Sequence, residues 1–172
     1  MSHAKSLRVI GQALEAAGIA TFELEKYGPQ YMVWSVWVSE TGEAILRNAL
    51  RHNNAGPQDA PPSRANRVFC FSPADISRLD AQAQKQRRNQ SFLGMPPAKL
   101  VSHGLRTLGD HFDRMQVNAF RIEWTVGAVI LDCQQISGQR NCRTFTAEEL
   151  RRLCEHPRVR RASPYLFPKL DI

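Results

Sequence analysis

Apolar residues recur at Leu7, Ile10, Leu14 and Ala17, and again at Leu105, Leu108, Phe112 and Met115. Spacings of three and four put each set on one stripe of a helix with a single buried face. After each stripe the period changes to two. Phe22 and Leu24 alternate with Glu23 and Glu25, and Phe120, Ile122 and Trp124 alternate with Arg121 and Glu123, which predicts strands with one wet face. Gly28-Pro29 and Gly127 mark turns, and the segments 31–38 and 128–134, rich in apolar and β-branched residues, read as the second strands.

The two patterns are versions of one another. Residues 7–25 align without a gap on 105–123 at an offset of 98, with Leu7/Leu105, Arg8/Arg106, Gly11/Gly109, Phe22/Phe120 and Glu25/Glu123 identical. A second block follows at an offset of 74, where residues 71–79 match 145–153. Each second block opens with a cap. Ser72 precedes Pro73 and Asp75, the pattern of an N-cap with proline at the first helical position, and Thr146 with Glu149 forms a capping box. Helices are therefore expected over 73–90 and 147–156.

The expected fold class is α+β, a tandem pseudo-repeat of a helix-strand-strand-strand-helix unit with antiparallel sheets. The first copy spans 1–93 with an insertion at 41–66, comprising a short helix at 43–51 and a Pro- and Gly-rich loop, and the second spans 98–172. Two sheets merged into one of six strands, or two separate lobes, both satisfy this pattern. In the second copy Ser137-Gly138 is expected to form a two-residue turn pairing Gln135 with Arg140, a register that sets Cys133 opposite Cys142. Reduced buried thiols are expected at the four cysteines, Cys70, Cys133, Cys142 and Cys154, which contain no CxxC pair.

Charge adds the main functional clue. The chain carries 23 Lys and Arg against 16 Asp and Glu, a formal +7. Arginine accounts for 18 of the cations, a bias suited to bidentate phosphate contacts and equally produced by a GC-rich genome. Lys85, Arg87, Arg88 and Lys99 lie in a stretch without acids between Asp80 and Asp110, and Arg151, Arg152, Arg158, Arg160 and Arg161 lie in and beyond the final helix. Both groups occupy the same place in the repeat and form the candidate nucleic-acid-binding set for RNA or DNA. Solvated helix ends, where cations complement the macrodipole, are the competing explanation.

The order of helix, three strands and helix resembles double-stranded RNA-binding domains, which recognise duplex shape and phosphates. Those domains begin their second helix with lysines, whereas here Asp75 and the pair Glu148 and Glu149 stand at those starts, so the resemblance stops at element order. Tyr31, Trp34, Trp37, Phe69 and Trp124 are candidate stacking platforms, with core packing as the alternative.

Catalytic residues and cofactors are not expected. His3, His52, His103, His111 and His156 are scattered, Gly-rich phosphate loops and HExxH or GxSxG patterns do not occur, and Cys133, Cys142, Cys154 and His156 are irregularly spaced for zinc. The acids Asp110 and Asp113 read as surface charges. Without a run of about 18 apolar residues, and with Gln12 and Glu15 interrupting the first apolar stretch, a cytosolic location is expected, with no membrane partner. The sequence thus supports a nucleic-acid-binding module or, alternatively, a protein-interaction or structural subunit that contacts its partner through the insertion loop.

Overall fold

The computed structural model describes residues 2–35, 37–50, 67–90, 100–146 and 148–149. Helix α1 (His3–Ala16) is capped by Ser2, whose hydroxyl accepts from the Lys5 amide, and it buries Leu7, Ile10 and Leu14 completely. It ends in a Schellman motif: Gly18 N donates to Glu15 O and Ile19 N to Leu14 O, with the side chains of Ile19 and Leu14 both buried. Strands β1 (Phe22–Tyr27) and β2 (Gln30–Trp34) follow as a hairpin around Gly28-Pro29. The second strand stops at Trp34, four residues short of the expected Val38. There the Ser35 hydroxyl is shared between the carbonyls of Thr21 and Trp37 and draws the chain out of the sheet.

Helix α2 (Glu40–Ala49) starts three residues earlier than its apolar pattern implies, because Ser39 caps it by accepting from Gly42 N at 3.0 Å. The expected loop at 52–64 and the link at 94–97 lie outside the described residues. Strand β3 (Val68–Phe71) leads into α3 (Pro73–Gln90), whose bounds are those read from the sequence. Its start is a reciprocal cap, with Asp75 N donating to Ser72 Oγ and the Ser72 amide and hydroxyl donating to the Asp75 carboxylate. Helix α4 (Leu100–Met115), β4 (Val117–Trp124), β5 (Ala128–Gln135) and β6 (Arg140–Thr146) complete the order. The second capping box forms as expected between Thr146 and Glu149, and of the helix expected there only Glu148 and Glu149 lie within the described residues.

All six strands join one antiparallel sheet in the order β3-β2-β1-β4-β5-β6. The two runs of strands meet at β1 and β4, where Leu24 lies opposite Ile122. These two residues are equivalent in the 98-residue alignment. α1 and α4 cross over this face of the sheet, and their backbones approach at two glycines. A Cβ on Gly11 would lie 2.6 Å from Ser102 Cα, and one on Gly109 would lie 2.5 Å from Ala4 Cα. These two approaches, too, exchange under the same alignment.

Beneath the helices Leu24, Val33, Phe69, Ile122 and Leu131 form one buried row, and Phe112 stacks on Phe120 with ring centres 4.4 Å apart. Burying each such side chain contributes roughly 1.5–3 kcal/mol. Of the two predicted stripes only Met115 departs, being 38% exposed at the last turn of α4.

The β5–β6 hairpin corrects the expected register. Gly138 N donates to Gln135 O and Gln135 N to Gln139 O, so the loop has three residues, Ile136 to Gly138, with Gly138 at φ 89°. A type I turn followed by a glycine in the left-handed region has this form, and its extra residue shifts the pairing by one. Cys133 therefore faces Asn141 and lies buried under the helices, whereas Cys142 faces Asp132 and is exposed on the opposite side of the sheet. A bond between these thiols is excluded because neighbouring positions in a strand point to opposite faces.

Candidate functional site

Of the nine candidate cations, Lys85 is exposed on α3, and Arg87 and Arg88 occupy the last turns of that helix. Lys99, Arg151, Arg152, Arg158, Arg160 and Arg161 fall outside the described residues. Within the described residues 14 Lys and Arg stand against 13 Asp and Glu. Several cations of the described part are also committed to internal pairs. Lys5 and Arg8 converge on the buried Asp80 at 2.8 and 2.6 Å, and Arg78 holds Asp75 at 2.7 Å. Hydrogen bonding from Lys5 keeps the Asp80 carboxyl below the ordinary carboxylate range.

The aromatic candidates separate cleanly. Tyr31, Phe69 and Trp124 are buried, and Trp34 is half-buried. Trp37 is 79% exposed in the irregular segment between β2 and α2, not on a strand as its spacing suggests.

Among the described residues the helices lie over one face of the sheet. Across the other face Trp34, Glu23, Glu123, Ile130 and Thr144 follow one another on β2, β1, β4, β5 and β6. Glu23 and Glu123 are directly opposite, a like-charge arrangement that costs stability. Arg121 relieves it on one side by pairing with Glu23 at 2.5 Å. Four acids, Glu23, Glu25, Glu123 and Asp132, outnumber Arg121 and Arg140 here, so this face disfavours phosphate.

The cross-connections between α1 and α4 involve Asp113, which reads from the sequence as a surface charge, and Glu15, which reads as a polar interruption of the first apolar stretch. Asp113 accepts from His3 N at 2.8 Å and Ala4 N at 3.0 Å, capping the start of α1 from the far end of α4. Glu15 accepts from Ser102 N at 3.1 Å and does the same for α4. The signal in the sequence is that Glu15 and Asp113, both acids, coincide at the 98-residue offset.

A cleft of about 300 Å³ opens beside the start of α1, between His3, Ser6, Lys26 and Tyr31 and an apolar wall of Pro29, Pro73 and Ile76. The His3 ring is fixed at both nitrogens, with Nε2 2.9 Å from Val117 O and Nδ1 3.2 Å from the Tyr31 hydroxyl. A carbonyl only accepts, so Nε2 carries the proton and Nδ1 accepts from Tyr31. Burial lowers the His3 pKa and raises that of Tyr31, which keeps both groups neutral. The Lys26 ammonium donates to Asn118 O at 2.8 Å and is the cleft's cation.

Cys154 and His156 of the irregular Cys/His grouping lie outside the described residues, and the hairpin register separates its other members. No helix among the described residues is long and apolar enough to cross a membrane. No protein-family model, curated protein or solved structure matches the chain.

Proposed function

We propose that this chain is a non-catalytic nucleic-acid-binding module made of two copies of one helix-strand-strand-strand-helix unit. The copies pair through β1 and β4 about a pseudo-twofold axis passing between Leu24 and Ile122. Three reciprocal features support the pairing: the Leu24–Ile122 register, the two glycine crossings, and the exchange of helix caps by Asp113 and Glu15. The observation that carries the binding reading is the clustering of cations along the chain, Lys85, Arg87, Arg88 and Lys99 in a stretch without acids between Asp80 and Asp110, and Arg151, Arg152, Arg158, Arg160 and Arg161 near the other end. Each cation that meets a phosphate releases counterions from a polyanion. Lys85, Arg87 and Arg88 at the end of α3, with Lys99, Arg151, Arg152, Arg158, Arg160 and Arg161, are the proposed contacts.

The test is fluorescence-anisotropy titration of labelled RNA and DNA across a salt series. Binding weakens with salt, and reversing Arg87, Arg88, Arg151 and Arg152 to Glu lowers the slope of log K against log salt by about 0.7–0.9 for each phosphate no longer neutralised. Unchanged affinity in the quadruple variant refutes the reading.

The second reading is a protein-interaction subunit. It is favoured by the acidic sheet face, where Glu25 and Glu123 have no ion-pair or hydrogen-bond partner among the described residues and Ile130 is 38% exposed. Retention of a partner protein after nuclease treatment, abolished by Glu123→Lys, favours it over the first.

A further inference from the structure

We propose that the cleft beside the start of α1 binds a small organic carboxylate, with the Lys26 ammonium meeting the anion and Pro29, Pro73 and Ile76 covering its apolar body. The site is independent of polyanion binding; its comparison between halves uses the paired-copy reading.

Three polar residues of the cleft differ in kind from their counterparts in the other half. Under the 98-residue alignment His3 corresponds to Val101 and Lys26 to Trp124. The strand pair Lys26–Tyr31 corresponds to Trp124–Val129, so Tyr31 takes the place of Val129. Polar side chains thus stand in one half where the other half has apolar ones. In the second half the place is filled: Trp124 is 4% exposed and its ring lies 5.7 Å from Phe22 in a stacked arrangement. In the first half Lys26 stands at that position and lines the cleft. Substituting polar groups into a place that packs well when apolar sacrifices burial, and such local departures from good packing concentrate at functional sites.

The chemistry of the lining selects the ligand. Lys26 Nζ has three N–H donors, of which one reaches Asn118 O, so two remain for an anion. The His3 and Tyr31 pair is neutral and internally satisfied, which makes that side of the cleft polar without adding a second cation. Lys26, the one cation among the described lining residues, beside a proline- and isoleucine-lined wall suits a singly charged ligand with an apolar body better than a phosphate, which presents more charge than Lys26 compensates.

Benzoate and inorganic phosphate serve as probes in amide chemical-shift titrations of the full chain, at one ionic strength. Benzoate is expected to give saturable shifts at Ser6, Lys26 and Gly28, and Lys26→Met weakens it at least about tenfold, as expected for removal of one charge-assisted hydrogen bond. Lys26→Trp, which installs the residue of the other half, abolishes the shifts. Where either variant fails to fold, the unaltered protein decides: benzoate slows chemical acetylation of the Lys26 amine relative to Lys5. Non-saturable shifts, equal binding by Lys26→Met, equal shifts with phosphate, or acetylation of Lys26 unaffected by benzoate each overturn the proposal.

Discussion

Single residues decide how closely the two central helices approach. At Gly11 and Gly109 an added methyl group meets backbone atoms, which cannot rotate aside as a side-chain end can. Gly11→Ala and Gly109→Ala are each expected to destabilise the protein by about 1–3 kcal/mol despite the better helix propensity of alanine. The double variant should cost less than the sum, since the first substitution already separates the helices. Urea denaturation of the three variants measures this. His111 makes a second residue-level prediction. Burial, followed by the charges of Arg114 and Arg143, lowers its pKa to about 4, against 6.5 in an unfolded chain. Below pH 6.5 the unfolded chain therefore binds the proton and the native state does not, so this stabilisation is complete above 6.5 and is lost as the pH falls to 4. His3 acts in the same direction. Melting temperatures between pH 7 and 4 should fall, and fall less in His111→Gln. Neither burial was legible in the sequence, because an isolated histidine carries no periodic signal; the glycine pair was visible only as two identities in the alignment.

At the scale of elements, most of the legible information lay in caps and periods. The start of α3 followed from Ser72, Pro73 and Asp75, which act on backbone groups within one turn and need no tertiary partner. The β5–β6 register failed for the opposite reason. Ser137-Gly138 is compatible with loops of two or three residues, and the choice rests on whether Gly138 takes its left-handed conformation before or after the turn closes. The early end of β2 likewise depended on Ser35 binding Thr21 across the hairpin, an interaction between residues 14 positions apart. α3 has its own anchor in Asp80, whose carboxylate receives Lys5, Arg8 and Gln84. Replacing it by Ala leaves the partly buried Arg8 guanidinium without its anion, in a place where its Nε already has no partner. The expected cost is about 3 kcal/mol. Amide hydrogen exchange should accelerate first in α3 and only later in α4.

For the whole molecule, the sequence showed helices and antiparallel strands and left the order of the strands in the sheet open, because edge-to-edge pairing of β1 with β4 uses backbone groups that every residue possesses. The proposed contacts were legible as charge, since composition alone reveals a surplus of arginine. The cleft was invisible, because its walls come from α1, the β1–β2 turn and the start of α3. The crossed caps have a consequence for cooperativity. Asp113 takes up the amides of His3 and Ala4 beside the Ser2 cap of α1, and Glu15 takes up that of Ser102 in the first turn of α4, so each helix supplies part of the other's N-terminal cap. A fluctuation that frays the end of one helix withdraws the carboxylate that terminates its neighbour, and the opening spreads across the junction. Forms in which one of the two helices is frayed and the other intact are therefore penalised, and the molecule is expected to melt as a single unit across the α1–α4 junction.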